Sequence, residues 1–146
     1  MDYKNDIHKR IFEDQIVRNP CRCGNEYLAA LYLLTADKTL WNASKHVIEN
    51  KIIDFTLIDI KSISTYGYTL CKIAQDIYLE TAHITLKAIC CKYVISELTF
   101  KLIITALSIG RAGYDYIGID KKFNWRRTAM EKKEYKEPEM EITKFE

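Results

Sequence analysis

The sequence predicts an all-α fold: a compact bundle of about six helices, with one irregular or short-strand connector near residues 51–63 and an extended charged C-terminal tail. Three observations predict it. Only 5 Gly and 2 Pro occur in 146 residues, too few chain punctuators for the many tight turns of a sandwich or barrel. Hydrophobic residues make up 48% and charged residues 29%, the balance of a folded domain rather than a disordered chain. Between Asn5 and Gly110, apolar residues recur mostly at three- and four-residue steps, the signature of helices with one buried face. The length suits a single domain with its own core.

Each element has its own justification. Asn5 or Asp6 caps a first helix that places Ile7, Ile11, Phe12 and Ile16 on one face, and Asn19-Pro20 closes it, because a residue preceding proline is pushed out of the helical region. Gly24-Asn25 opens a second helix over 26–35, apolar nearly all round from Tyr27 to Leu34; such a helix belongs at the centre, covered on several sides. That cover is compatible with a monomer or a homodimer. Asp37 caps a third helix carrying Leu40, Trp41, Val47 and Ile48. Over 51–63, β-branched residues compete with a three-residue step (Leu57, Ile60, Ile63), and strand, connector and helix remain open. Ser64 or Thr65 caps the next helix, with Leu70, Ile73, Ala74, Ile77 and Tyr78 on its stripe. A helical stretch over 86–93 follows. Ser96 starts the last core helix, with Lys101 outward, and Gly110 and Gly113 stop it. The helical domain is thus expected over 5–112, with 113–146 as an aromatic-basic and charged segment.

Composition also excludes function classes. The formal net charge is +2, which argues against an acidic nucleic-acid mimic and gives no general pull toward phosphate backbones. The N-terminal residues are polar, and no apolar run reaches the roughly 18 residues of a membrane span. The expectation is a cytoplasmic protein with no membrane partner. Five cysteines (Cys21, Cys23, Cys71, Cys90 and Cys91) are an odd set expected to stay reduced. Neither Cys21-Arg-Cys23 nor Cys90-Cys91 has the two-residue gap of a zinc knuckle, so no metal and no cofactor is expected. Cys71 and Cys90 fall in apolar stripes and read as core; Cys23, beside Arg22, is the thiol with the most reactive setting.

Catalytic chemistry has little support. His8, beside Lys9 and Arg10, reads as a solvated histidine. His46 has the amides Asn42 and Asn50 at four-residue spacing and one carboxylate, Glu49, three residues on, a pattern that reads as a surface contact. Asp76, Glu80 and His83 step by four and three, and Glu80-Thr-Ala-His83 has the Glu-x-x-His form of di-iron bundles. Those sites need a second Glu-x-x-His and two further glutamates on facing helices, and the chain has no second copy of the motif, so a solvated face is the expected role. No phosphate-binding loop, dinucleotide fingerprint or His-Glu-x-x-His zinc motif is present. The expectation is a protein that is not an enzyme.

A resemblance adds a habitat. The segments Ile7-His-Lys-Arg-Ile-Phe12, Ala29-Ala-Leu-Tyr-Leu-Leu34 with Leu40-Trp41, Ser64-Thr65 leading to Leu70-Cys-Lys-Ile-Ala74 and Ile77-Tyr78, and Ala106-Leu-Ser-Ile-Gly-Arg111 occur in an order that resembles an uncharacterised family of small helical proteins from Gram-positive bacteria and their phages and mobile elements. The resemblance spans about residues 7–112, and the chain departs from the pattern in the 21–24 loop. It implies no activity. It implies a setting in which small proteins act by binding a host component.

What remains is the segment beyond Gly113. Tyr114, Tyr116, Lys121, Lys122, Trp125, Arg126 and Arg127 mix rings with cations, and Trp, Tyr and Arg are the commonest anchors of protein interfaces. These seven residues are the expected partner-binding set. The expected function is a non-enzymatic binding protein that docks on and inhibits a host protein or ribonucleoprotein, in the manner of an anti-defence (anti-CRISPR) inhibitor. The alternative is a nucleic-acid-binding module using the same segment, with cations on phosphates and Trp125 stacked on a base. For Tyr114–Ile119 a purely structural role is equally open, in which the segment folds back to cover the helical bundle.

Overall fold

A computed structural model describes residues 1–19 and 21–118. Its order is α1 (Asp6–Arg18), α2 (Asn25–Leu34), α3 (Lys38–Ser44), β1 (Ile48–Glu49), β2 (Ile52–Ile53), two single 3₁₀ turns (Phe55–Leu57 and Ile60–Ser62), α4 (Thr65–Leu79), α5 (Leu86–Cys90), α6 (Glu97–Ala112) and α7 (Tyr114–Ile117). The mainly helical class is as the periodicity predicts, with seven α-helices among the described residues. The ambiguous stretch resolves into a minimal antiparallel hairpin, Ile48 opposite Ile53 and Glu49 opposite Ile52, followed by the two turns. Asn50 and Lys51, at the hairpin tip, both take positive φ, as a two-residue hairpin turn demands.

Helix starts follow the capping residues. The side chains of Asn5, Asp37, Ser64, Thr85 and Ser96 accept from backbone N–H groups of the first turns they precede. Each cap satisfies a donor the helix cannot, typically for about 1 kcal/mol.

Around α2 the core is built. Every residue from Tyr27 to Leu34 is buried, and α2 packs chiefly against α4 and α6, with α3 at its end. The cover for its all-round apolar surface therefore comes from within one chain. Helix α1 reaches α2 through rings: Phe12 meets Tyr32 edge-on at 5.6 Å, and His8 lies 4.6 Å from the same ring. Tyr3 completes the cluster, 5.2 Å from His8. Gly67 lets α4 approach Asp37, because a Cβ there would stand 2.8 Å from the Asp37 carboxylate.

Four expectations are corrected here. His8 is not solvated: it is 1% exposed, since the buried face of α1 is His8, Phe12 and Ile16, while Ile7 stands in water. Cys90 is exposed rather than core, whereas Cys71 is buried. Cys23 is buried too, so its setting beside Arg22 does not make it accessible. The body also continues past residue 112. Gly113 turns the chain at φ 63°, where a Cβ would collide with the Asn25 side chain, and Tyr114 and Ile117 then enter the core.

Candidate functional site

Of the seven residues expected to bind a partner, Lys121, Lys122, Trp125, Arg126 and Arg127 lie outside the described residues. Tyr114 and Tyr116 lie within them and part ways. Tyr114 is 6% exposed, its hydroxyl oxygen accepts the Cys23 N–H at 2.8 Å, and the Arg22 guanidinium stands 4.6 Å over its ring. Burial pushes its phenol above the usual range, against the Cys23 N–H hydrogen bond. Tyr114 thus straps α7 to the loop before α2, and a partner cannot reach it. Tyr116 is 37% exposed and stays available at the surface.

An apolar concavity lies elsewhere, between α4 and α6. It is an open groove of about 650 Å³. Ile73 and Ile77 of α4 form one wall and Ile103 and Leu107 of α6 another, with Leu86 and Ile89 of α5 along the third. Glu26 and Arg111 line it as well; the Asn25 amide donates to the Arg111 carbonyl at 3.4 Å, so the start of α2 meets the end of α6 there.

The segment bounding the groove is held by one carboxylate. Helix α4 ends at Leu79, and Glu80 leaves it in the left-handed region at φ 59°, so the chain reverses and residues 81–84 fold back over Asp76. Asp76 accepts from Thr81 Oγ1 at 2.6 Å, from the His83 backbone N–H at 2.8 Å, from the Ile84 N–H at 2.9 Å, and lies 2.7 Å from His83 Nδ1. Burial works against the charge, but the bonds from Thr81, His83 and Ile84 outweigh it and bring the acid down to about 2. The solvated-face expectation for this trio is therefore overturned at Asp76. The Glu-x-x-His pattern also loses its geometry: Glu80 and His83 lie beyond the helix end, not on one helical face. Among the described residues, no three His, Cys, Asp or Glu side chains are grouped to hold a metal.

His8 shows what an isolated buried histidine does here. Its Nδ1 accepts the Lys4 backbone N–H at 3.0 Å, and Nε2 lies 2.8 Å from the Tyr32 carbonyl. Those partners select the neutral ring with the proton on Nε2. Burial pushes its pKa down to about 4, against the Tyr32 carbonyl and with help from the nearby Lys4 charge. It is a structural bridge between α1 and α2.

Sequence reasoning missed a set of exposed apolar side chains, two of which line the groove. Between residues 86 and 107, six large apolar side chains stand in water: Leu86 (79%), Tyr93 (88%), Val94, Leu98, Ile104 and Leu107. Exposed apolar patches mark interaction sites in soluble proteins, and Leu86 and Leu107 share the groove lining. The signal was present as an apolar segment, but an apolar run reads as core unless its covering elements are known. No helix among the described residues is long and apolar enough to cross a membrane. Family models, curated proteins and solved structures give no match to this chain, so the geometry alone carries the functional reading.

Proposed function

We propose that this protein is a non-enzymatic binding protein that docks on a host protein or ribonucleoprotein and blocks it, as an anti-defence inhibitor does. The observation that supports the reading is the set of exposed apolar side chains between residues 86 and 107, of which Leu86 and Leu107 line the α4–α6 groove. Burying a side chain such as Leu86 against a partner is worth about 1.5–3 kcal/mol, so a few of these residues supply useful affinity. Tyr93 adds the flat, rigid contact area that hot spots favour. The docking surface in this reading is therefore the groove and its rim; Tyr116 and the aromatic-basic residues Lys121, Lys122, Trp125, Arg126 and Arg127 are additional contacts.

The test is capture from a bacterial lysate by the full chain and by Leu86→Ser/Tyr93→Ser. A partner held by the first and lost by the second, at equal melting temperature, is the expected result. Equal capture by both, or turnover of nucleotides, nucleic acid or peptides by the purified protein, overturns the reading. A nucleic-acid partner is the second reading, supported by the exposed cations Lys87, Lys92, Lys101 and Arg111. Salt separates the two: phosphate contacts make affinity fall steeply with ionic strength, and an apolar anchor responds weakly.

A further inference from the structure

The five cysteines are all free thiols, and they fall into distinct settings. Cys71 is buried, and Cys23 is buried with its backbone N–H tied to the Tyr114 hydroxyl at 2.8 Å. Cys21 is exposed, but the cysteine two residues on is held in the core. Cys90 and Cys91 differ from these: Cys90 is exposed, Cys91 is half-buried, and they are adjacent in sequence. Within a helix, neighbouring side chains diverge by about 100°. Here the helix ends between them, because Cys90 is the last residue of α5 and Cys91 is extended at φ −90° and ψ 111°. The chain is anchored on either side of the pair, through Ile89, partly buried against the core, and Ile95, which is buried. The N–H of the peptide joining the two thiols donates to the Ala88 carbonyl at 3.1 Å. Turning that peptide gives up a helix-end hydrogen bond and leaves the core untouched, since α5 has no buried side chain.

We propose that Cys90 and Cys91 form a redox-exchange site that takes a low-molecular-weight disulfide of the glutathione type and closes reversibly into a vicinal disulfide. The site stands independently of the binding reading above. Cys90, the more exposed thiol, attacks as its thiolate one sulfur of the small disulfide. That S–S bond breaks, a mixed disulfide forms on Cys90, and the first small thiolate leaves. The Cys91 thiolate then attacks the Cys90 sulfur and expels the second. Two protein thiols are oxidised to one disulfide, one small disulfide is reduced to two thiols, and the protons lost by the cysteines end on the leaving thiolates. Adjacency makes the second attack intramolecular, with the high effective concentration that such proximity brings. It also sets the character of the product. The two Cα atoms stand about 3.8 Å apart across a trans peptide, below the usual span of about 4.4–6.8 Å for a bridge. The closed ring is therefore strained and readily reduced, as labile and regulatory disulfides are.

The experiment incubates the reduced full-length chain in glutathione buffers of rising oxidised fraction, quenches with acid, alkylates the remaining thiols in denaturant and maps tryptic peptides by mass. Cleavage after Lys87 and Lys92 isolates residues 88–92, which carry these two cysteines and no other. The expected product is that peptide unalkylated and lighter by two hydrogens, in excess over its glutathione adduct and returned to the dithiol by dithiothreitol. Peptides carrying the buried Cys23 and Cys71 should stay fully alkylated. Cys91→Ser should stop at the mixed disulfide, with glutathione on Cys90, because the expelling thiol is gone. The closed form should keep the melting temperature of the reduced chain. Glutathione adducts on the native chain without ring closure overturn the inference, as do Cys90 and Cys91 that stay reduced in buffers that modify Cys21. Oxidation of Cys23 or Cys71 as readily as of the pair overturns it as well, since exposure would then not select the site. A ring that forms only when the chain is first unfolded in urea, or one that lowers the melting temperature, shows that the folded helix end does not accommodate it, and the inference falls.

Discussion

Helix α2 and the segment from Ile84 to Ile95 are both rich in apolar residues, and the fold treats them in opposite ways. All eight residues from Tyr27 to Leu34 are buried. In the other segment only Ile95 is buried, while Leu86, Tyr93 and Val94 stand in water. The difference lies in their neighbours. Helix α2 lies between α4 and α6, each long enough to cover a full side of it, whereas α5 is a short helix of 5 residues with no buried side chain. Hydrophobicity therefore drives burial only where another element can supply the opposing surface.

The sharpest way to break this comparison is to cut the same group from both sides. Leu31→Ala should cost about 2–5 kcal/mol, because Leu31 is fully buried and its removal leaves a cavity. Leu86→Ala should stay within about 0.5 kcal/mol. Chemical denaturation reads both, and equal losses would show that α5 is part of the core.

Acid should distinguish the regions next. His8 has a folded pKa near 4, below the ordinary value of about 6.5. The unfolded chain therefore binds the extra proton first, and the His8 contribution is complete above pH 6.5 and lost as the pH falls to 4. Two and a half units correspond to about 3 kcal/mol at most. Thermal melts between pH 7 and 4 should show this slope, and His8→Gln should flatten it.

A smaller effect belongs to the groove wall. Asp76 has a folded pKa near 2, below the usual 3.8 for this acid. Its contribution is present above pH 4 and disappears as the pH falls from 4 to 2. Asp76→Asn should cost about 1–2 kcal/mol at neutral pH, as hydrogen bonds to a charged group do. Backbone amide exchange at His83 and Ile84 should rise in that variant before any change at α2. Uniform exchange across the molecule would mean that the loop and the core open as one unit.

The smallest effect on stability is expected at Tyr93. Replacing this 88% exposed ring by Ser should shift stability by no more than about 0.5 kcal/mol while weakening partner capture by about tenfold or more, as loss of an aromatic anchor does. A large fall in melting temperature with capture intact would make the ring a structural element.

Much of the architecture was legible because helix starts are local. Asn5, Asp37, Ser64 and Ser96 announce their helices through hydrogen bonds to residues three positions on. The centrality of α2 was legible from its all-round apolar surface. His8 was not, because what buries it is Tyr32, 24 positions away, while its immediate neighbours are cations. Tyr114 was open to two readings for the same reason: its partner is the backbone of Cys23, 91 positions earlier. The groove was invisible for a further reason. It depends on where α4 stops, and the left-handed turn at Glu80, a non-glycine residue, carries no composition cue.

The central position of α2 sets a schedule for synthesis. Residues 25–34 leave the ribosome well before α6, which starts at Glu97. At elongation rates of about 5–20 residues per second, α2 waits roughly 3 to 12 seconds for its second covering helix. During that interval eight apolar positions have at most a partial shelter. Nascent chains stalled before residue 97 should accordingly be strong clients of ribosome-associated chaperones, and the full-length chain should release them.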